Sequence, residues 1–292
     1  MTTLAPLDPP SAQGQRASGR RGFSFARTWW VRVWLVIGFL VLGMALFGPY
    51  LAPHSPTELA GVRYQGPSGS FLLGTDALGR DVFSRMLHGG RQLIALAVAA
   101  TLLAYLVGGA IGLIAGYRRG SIDAWLMRVM DALLTFPGLL FLLLLAYGAG
   151  PGPMTIVAGV SIVQVPAIAR LVRAAALGVA VRAFVEAAVA RGERTSSILV
   201  REILPNIAGT VSADAGARFT GSFLAIAALN FLGLGIQPPA PDWATMIAQN
   251  RDFIQLQPWA VAGPALLVAL FTISVNIVGD AMARDLGRSS AQ

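Results

Sequence analysis

Hydrolysis, redox work and metal binding draw on a short set of side chains, and in this 292-residue sequence that set is thin. There is no cysteine, which excludes disulfides, iron–sulfur clusters and thiolate zinc sites. The two histidines, His54 and His88, make a metal centre unexpected. A membrane enzyme would need clustered acids, bases or metal ligands, yet Asp131, Asp214 and Asp280 are widely spaced with no histidine near them. All 22 basic residues are arginine. A phosphate-binding GxxxxGKS/T loop requires lysine, so the glycine-rich run Gly148 to Pro153 is no nucleotide site and the chain is not expected to hydrolyse ATP alone.

What the polar residues offer instead is recognition. The segment Glu186 to Pro205, EAAVARGERTSSILVREILP, is charged and stands between long apolar runs. Glu186, Ala187 and Ala188 open a short helix, Gly192 supplies freedom for a sharp turn, and Ile198 to Leu204 reads as a second helix ended by Pro205. Asp214 and Arg218 lie four residues apart on one face of an apolar stretch. Charges there are expensive, so a mutual pair or a water-lined face is expected, with structural pairing favoured over substrate contact. In GTDALGRDVFSR (Gly74 to Arg85), Thr75 or Asp76 can cap a helix carrying Leu78, Val82 and Met86 on one face, beside Arg80 and Asp81. A further short helix capped by Asp242, with Trp243, Met246 and Ile247 on its apolar side, is expected at the membrane interface.

The elements that must position these groups are membrane spans. Hydrophobic residues make up 55% of the chain and charged ones 12%, which does not suit a soluble surface. The net charge of +8 comes from arginines beside apolar spans, which argues for positive-inside orientation and against nucleic-acid binding. Residues 1–28 read as a disordered cytoplasmic tail; a signal peptide is the rival, disfavoured because Val31 to Leu51 is long and no small-residue cleavage site follows. Six spans are expected: Val31 to Leu51, Leu93 to Gly116, Ala132 to Tyr147, Met154 to Ala169, Ala208 to Leu234 and Ala260 to Val278. That count puts both termini and the Glu186 segment in the cytoplasm. Residues 29–90 form a first unit of span and outer segment, 91–285 a core of five spans with the loop 183–207, and 286–292 a tail. Gly108, Gly112 and Gly116 make a flat ridge for close helix packing. A channel is a weaker reading, because the spans offer chiefly isolated Ser, Thr, Asn and Gln in place of a polar filter.

Glu186, Ala187, Ala188, Gly192, Ile203, Leu204 and Pro205 resemble the cytoplasmic coupling loop of ABC-importer permeases, and the Gly74 to Arg85 and Asn230 to Trp243 segments resemble the C-type subunit of the dipeptide and oligopeptide branch. The resemblance covers roughly residues 30–285. It implies an all-α type I importer permease in a bacterial inner membrane, working beside a homologous B-type permease, two ATPase subunits that bind ATP and Mg, and an extracytoplasmic solute-binding protein. It further implies that Glu186 meets a cationic group on the ATPase, that Ala187 and Ala188 allow close approach, and that Leu204 and Pro205 anchor the second helix. Dipeptides or short oligopeptides are the implied cargo; nickel chelates, oligosaccharides and antimicrobial peptides are alternatives. Two departures stand out: Glu193 to Ser196 replaces a small, acidic and aromatic run, and Ile226 stands near a position where an acid is expected.

Overall fold

The computed structural model describes residues 29–289, and all the regular structure among them is helical. The tail expected over residues 1–28 lies outside the described residues. Helix α1 spans Trp29–Leu51, α2 Val82–Arg118, α3 Gly120–Leu134, α4 Gly138–Ala149 and α5 Pro153–Val179. Then come α6 (Ala183–Ala190), a single turn α7 (Thr195–Ser197), a π-helical turn (Ile198–Ile203), α8 (Leu204–Phe231), α9 (Trp243–Asn250) and α10 (Trp259–Ser289).

Composition carries fewer spans than the six expected. Helices α1, α2, α5 and α10 are long and apolar enough to cross a membrane, and α3 with α4 makes a fifth only as a pair bent by 82°. Pro137 sits at that bend and cannot donate the hydrogen bond that would carry the helix through. With 12 residues, α4 reaches about 18 Å, short of a hydrocarbon core of about 30 Å. The expected fifth span is α8, whose 28 residues are sufficient in length but less apolar than the others.

The boundary expected at residue 90 falls inside α2, a continuous helix of 37 residues. Gly89 and Gly90 do not break it. They are small because Trp243 lies on them: a Cβ added at Gly90 would come within 2.3 Å of the indole ring. The Gly108, Gly112 and Gly116 ridge faces α5, where added Cβ atoms would meet the carbonyl oxygens of Val165, Ala169 and Arg173 at 2.8, 2.5 and 2.9 Å. Backbone against backbone is what fixes the α2–α5 crossing. Helix α5 itself runs ten residues beyond the expected end at Ala169, and Arg173 on that extension grips both carboxylate oxygens of Asp123 on α3. Three apolar clusters result: one at the end of the molecule where α9 lies, around Trp243, Phe223 and Phe271, one at the opposite end around Ile168, Ile198 and Ile203, and a small one of Met130, Val165 and Ala169.

Candidate functional site

The Glu186 to Pro205 segment folds as a wedge. Helix α6 closes with Gly192 at φ +75°, Glu193 N–H donating to Ala188 O (3.2 Å) and Gly192 N–H to Val189 O (2.9 Å). This paired ending needs a left-handed residue at the position of Gly192. Nothing lies within 4 Å of a Cβ built there, so backbone conformation, with no contribution from crowding, calls for glycine. Arg191 caps the turn by donating from Nη2 to Glu193 Oε1 (2.6 Å), and Ser197 Oγ donates to Glu193 Oε2 (3.2 Å). The Arg191 guanidinium holds the Glu193 carboxyl below the usual range. Glu193, one of the residues that depart from the family pattern, thus stabilises the turn internally.

Pro205 does not end the second helix. The chain widens into a π-helical turn, with Leu204 N–H donating to Leu199 O, and then continues as α8 with Pro205 in its first turn. A wider turn accommodates a ring that would clash with the carbonyl four residues back in a regular helix. Nor do Leu204 and Pro205 anchor the wedge, since both are exposed. Its anchors are Ile198, Ile203 and Ile207, all at most 2% exposed, packed with Val185 and Ala188 onto Ile168 and Val172 of α5. Ala188, expected to face a partner, is spent on that interior contact. Glu186 and Ala187 do face outward, and the Glu186 carboxylate has no partner among the described residues. Phe184, Val189 and Val200 are exposed beside Arg191, Arg194 and Arg201. Those last residues line an open concavity of about 750 Å³.

The other end joins two segments that the sequence presents separately. Asp81, in place of the expected Thr75 or Asp76, caps α2, accepting from Ser84 N–H (3.0 Å) and Ser84 Oγ–H (2.6 Å). Asp76 lies in the turn before it and accepts from Arg80 Nε (2.8 Å) and Arg85 Nη1 (2.7 Å), and both arginines donate onward to Gln249 of α9. Asp76, Arg80, Asp81 and Arg85 are all at most 5% exposed. Helix α9 is capped by Asp242 as expected, accepting from Thr245 N–H at 3.0 Å. Its apolar side packs into the protein. Trp243 is fully buried and donates from its indole to Met86 O at 2.8 Å. Burial pushes the Asp242 carboxyl up to about 6.

Between the ends, Arg218 Nε and Asp214 Oδ2 pair at 2.8 Å, and Tyr105 of α2 donates to the same oxygen at 2.9 Å. Gln164 of α5 donates to Arg218 O (2.7 Å) and Ser222 Oγ (2.6 Å), and Thr101 Oγ–H reaches Ser222 Oγ at 2.9 Å. The span polar residues, read in sequence as isolated, form one seam across α2, α5 and α8. No sequence period links Thr101, Tyr105, Gln164 and Ser222, so nothing in the linear pattern pointed to them.

Residues 108–289 match the family described as binding-protein-dependent transport system inner membrane component. The chain belongs to this family. Among relatives of this inner membrane component, the di/tripeptide transport system permease protein DppC of Pseudomonas aeruginosa is 36% identical over 245 residues, covering 82% of this chain and 81% of the relative. The glutathione transport system permease protein GsiD of Pectobacterium atrosepticum is 36% identical over 218 residues, covering 75% and 72%. A chain of the MetNI methionine ABC transporter, solved in inward-facing conformations, superposes with a TM-score of 0.55 at 15% identity, covering 67% of this chain and 93% of the other. That likeness speaks for the fold, the type I importer permease layout of packed, membrane-crossing helices.

Proposed function

We propose that this inner membrane component is one permease subunit of an ATP-driven importer, forming half of the path for dipeptides or short oligopeptides. The observation that carries the reading is the wedge, a helix, a left-handed glycine turn and a second helix, anchored by three buried isoleucines and presenting Glu186, Ala187 and arginines outward. A packed element transmits displacement, whereas a loose loop would absorb it. The ATPases that bind ATP and Mg, the homologous permease and the solute-binding protein are separate chains, in keeping with the lack of lysine for a phosphate loop. The peptide assignment is supported by the names of the relatives at 36% identity.

The wedge then lies in the cytoplasm, with both termini on that side. Cysteines placed at Ser68 and Ser121 test this: an impermeant thiol reagent on intact cells should label Ser68→Cys and spare Ser121→Cys, and the reverse result overturns the orientation. For function, the assembled complex in proteoliposomes should take up labelled dipeptide with ATP hydrolysis stimulated by the binding protein, while the chain alone shows no turnover. Nucleotide-dependent turnover by this chain alone, or failure of any ATPase to co-purify with it, would overturn the assignment.

A further inference from the structure

Arg218 commits only its Nε to Asp214, and the Tyr105 hydroxyl occupies the same carboxylate oxygen. Neither Nη of Arg218 meets a partner among the described residues, and neither is enclosed, the side chain remaining 28% accessible. By contrast, Arg173 gives Asp123 two nitrogens at once, Nε and Nη2. The backbone behind Arg218 is fixed in place, because Gln164 holds its carbonyl and is itself tied through Ser222 to Thr101. On the exposed stripe of α8 beside this edge stand Ala217 and Gly221, which leave it unobstructed. Free donors within a helix set between membrane spans are costly unless water or a ligand takes them.

We infer that the free Nη edge of Arg218 is a carboxylate-binding point for the transported peptide, with Asp214 and Tyr105 as positioning groups that hold the guanidinium edge outward. This rests on the peptide-import reading above. A short peptide carries one terminal carboxylate, and a planar fork can take both of its oxygens. Asp214 offsets part of the arginine charge through Nε alone, so the Nη edge keeps a local positive potential toward an approaching anion and holds a carboxylate by directional hydrogen bonds. Such a contact selects without trapping, as passage along a path requires.

The chain has no native cysteine, so Gly221→Cys gives a single thiol, one turn from Arg218. A Cβ there would lie 3.6 Å from Gln164 Oε1, an ordinary contact. In the whole complex in nanodiscs, labelling of this chain is followed with an anionic and a cationic methanethiosulfonate reagent. The anionic reagent should react faster by about fivefold or more, after correction for intrinsic reactivity. Arg218→Gln combined with Asp214→Asn, which leaves no charge stranded, should abolish that preference. A dipeptide with a free carboxyl should slow labelling, and its C-amidated form should not. No labelling by either reagent, equal rates, a preference that survives the double substitution, or equal protection by both peptides would overturn the inference. Protection by acetate and by no peptide would support the carboxylate point and overturn the peptide-import reading beneath it.

Discussion

The two ends of the molecule handle charge in opposite ways. Around Asp76, two carboxylates and two guanidiniums are buried and pair within the chain, across 164 residues of sequence in the Arg85–Gln249 contact, although Arg85 Nε and Asp81 Oδ1 meet no partner among the described residues. Around Gly192, Arg191 and Glu193 neutralise each other in the open, and Glu186, Arg194 and Arg201 turn outward. One end turns its charges inward and the other turns them out. Buried ion pairs fix geometry, whereas a surface arranged for another protein keeps its charges hydrated until that protein arrives.

This contrast breaks most directly at Asp76. Asp76→Ala strands two buried guanidiniums and should destabilise by about 3–5 kcal/mol, whereas Asp131→Ala, whose pair with Arg170 is half exposed, should cost about 0–1 kcal/mol. Thermal melting of the purified complex separates them, and equal shifts would show that the α9 end is no better ordered than the surface. Next in size is the pH response of Asp242. Its folded-state carboxyl lies at about 6 against 3.8 for the ordinary group, so the folded form favours the proton. Stability should be fullest below about pH 4, fall by roughly 2–3 kcal/mol as pH rises to about 6, and then level off. Asp242→Asn should flatten that profile between pH 4 and 6; an unchanged slope would refute the assignment to this residue.

At the other end the expected effects are smaller and of another kind. Gly192→Val should introduce roughly 1–3 kcal/mol of backbone strain and impair assembly or coupling, while Gly192→Asn, tolerant of a left-handed conformation, should stay close to wild type. Co-purification of the ATPase and binding-protein-stimulated hydrolysis are the readouts. Glu186→Ala should leave the melting temperature alone and lower transport, with binding-protein docking unchanged. Arg191→Ala should be smallest, with no resolvable change in melting, since it removes only a surface pair.

The sequence made the helical membrane class, the glycine turn and the Asp242 cap legible because each rests on a local signal: an apolar run, a turn residue, a capping oxygen before a helix. What it hid is non-local. Asp76 and Gln249 are joined only in the folded chain, and the boundary expected at residue 90 gives way once α2 is seen to run through it with Trp243 packed on Gly89 and Gly90. Pro205 reads as a stop because its rule assumes a regular helix, and the π turn evades that assumption. Of the Arg218 seam only the Asp214–Arg218 pair was legible; Thr101, Tyr105, Gln164 and Ser222 come from three helices and are unremarkable alone.

Helix α2 touches both ends, and its length has a mechanical meaning. Its 37 residues make a rod of about 55 Å, almost twice the hydrocarbon thickness, with Trp243 seated near one tip and the wedge cluster near the other. For such a rod, a tilt of about 10° about its midpoint sweeps each tip through about 5 Å in opposite directions. Were a displacement at the wedge to tilt this rod, the Trp243 end would move the opposite way, so that widening one mouth of a path and narrowing the other would be a single movement.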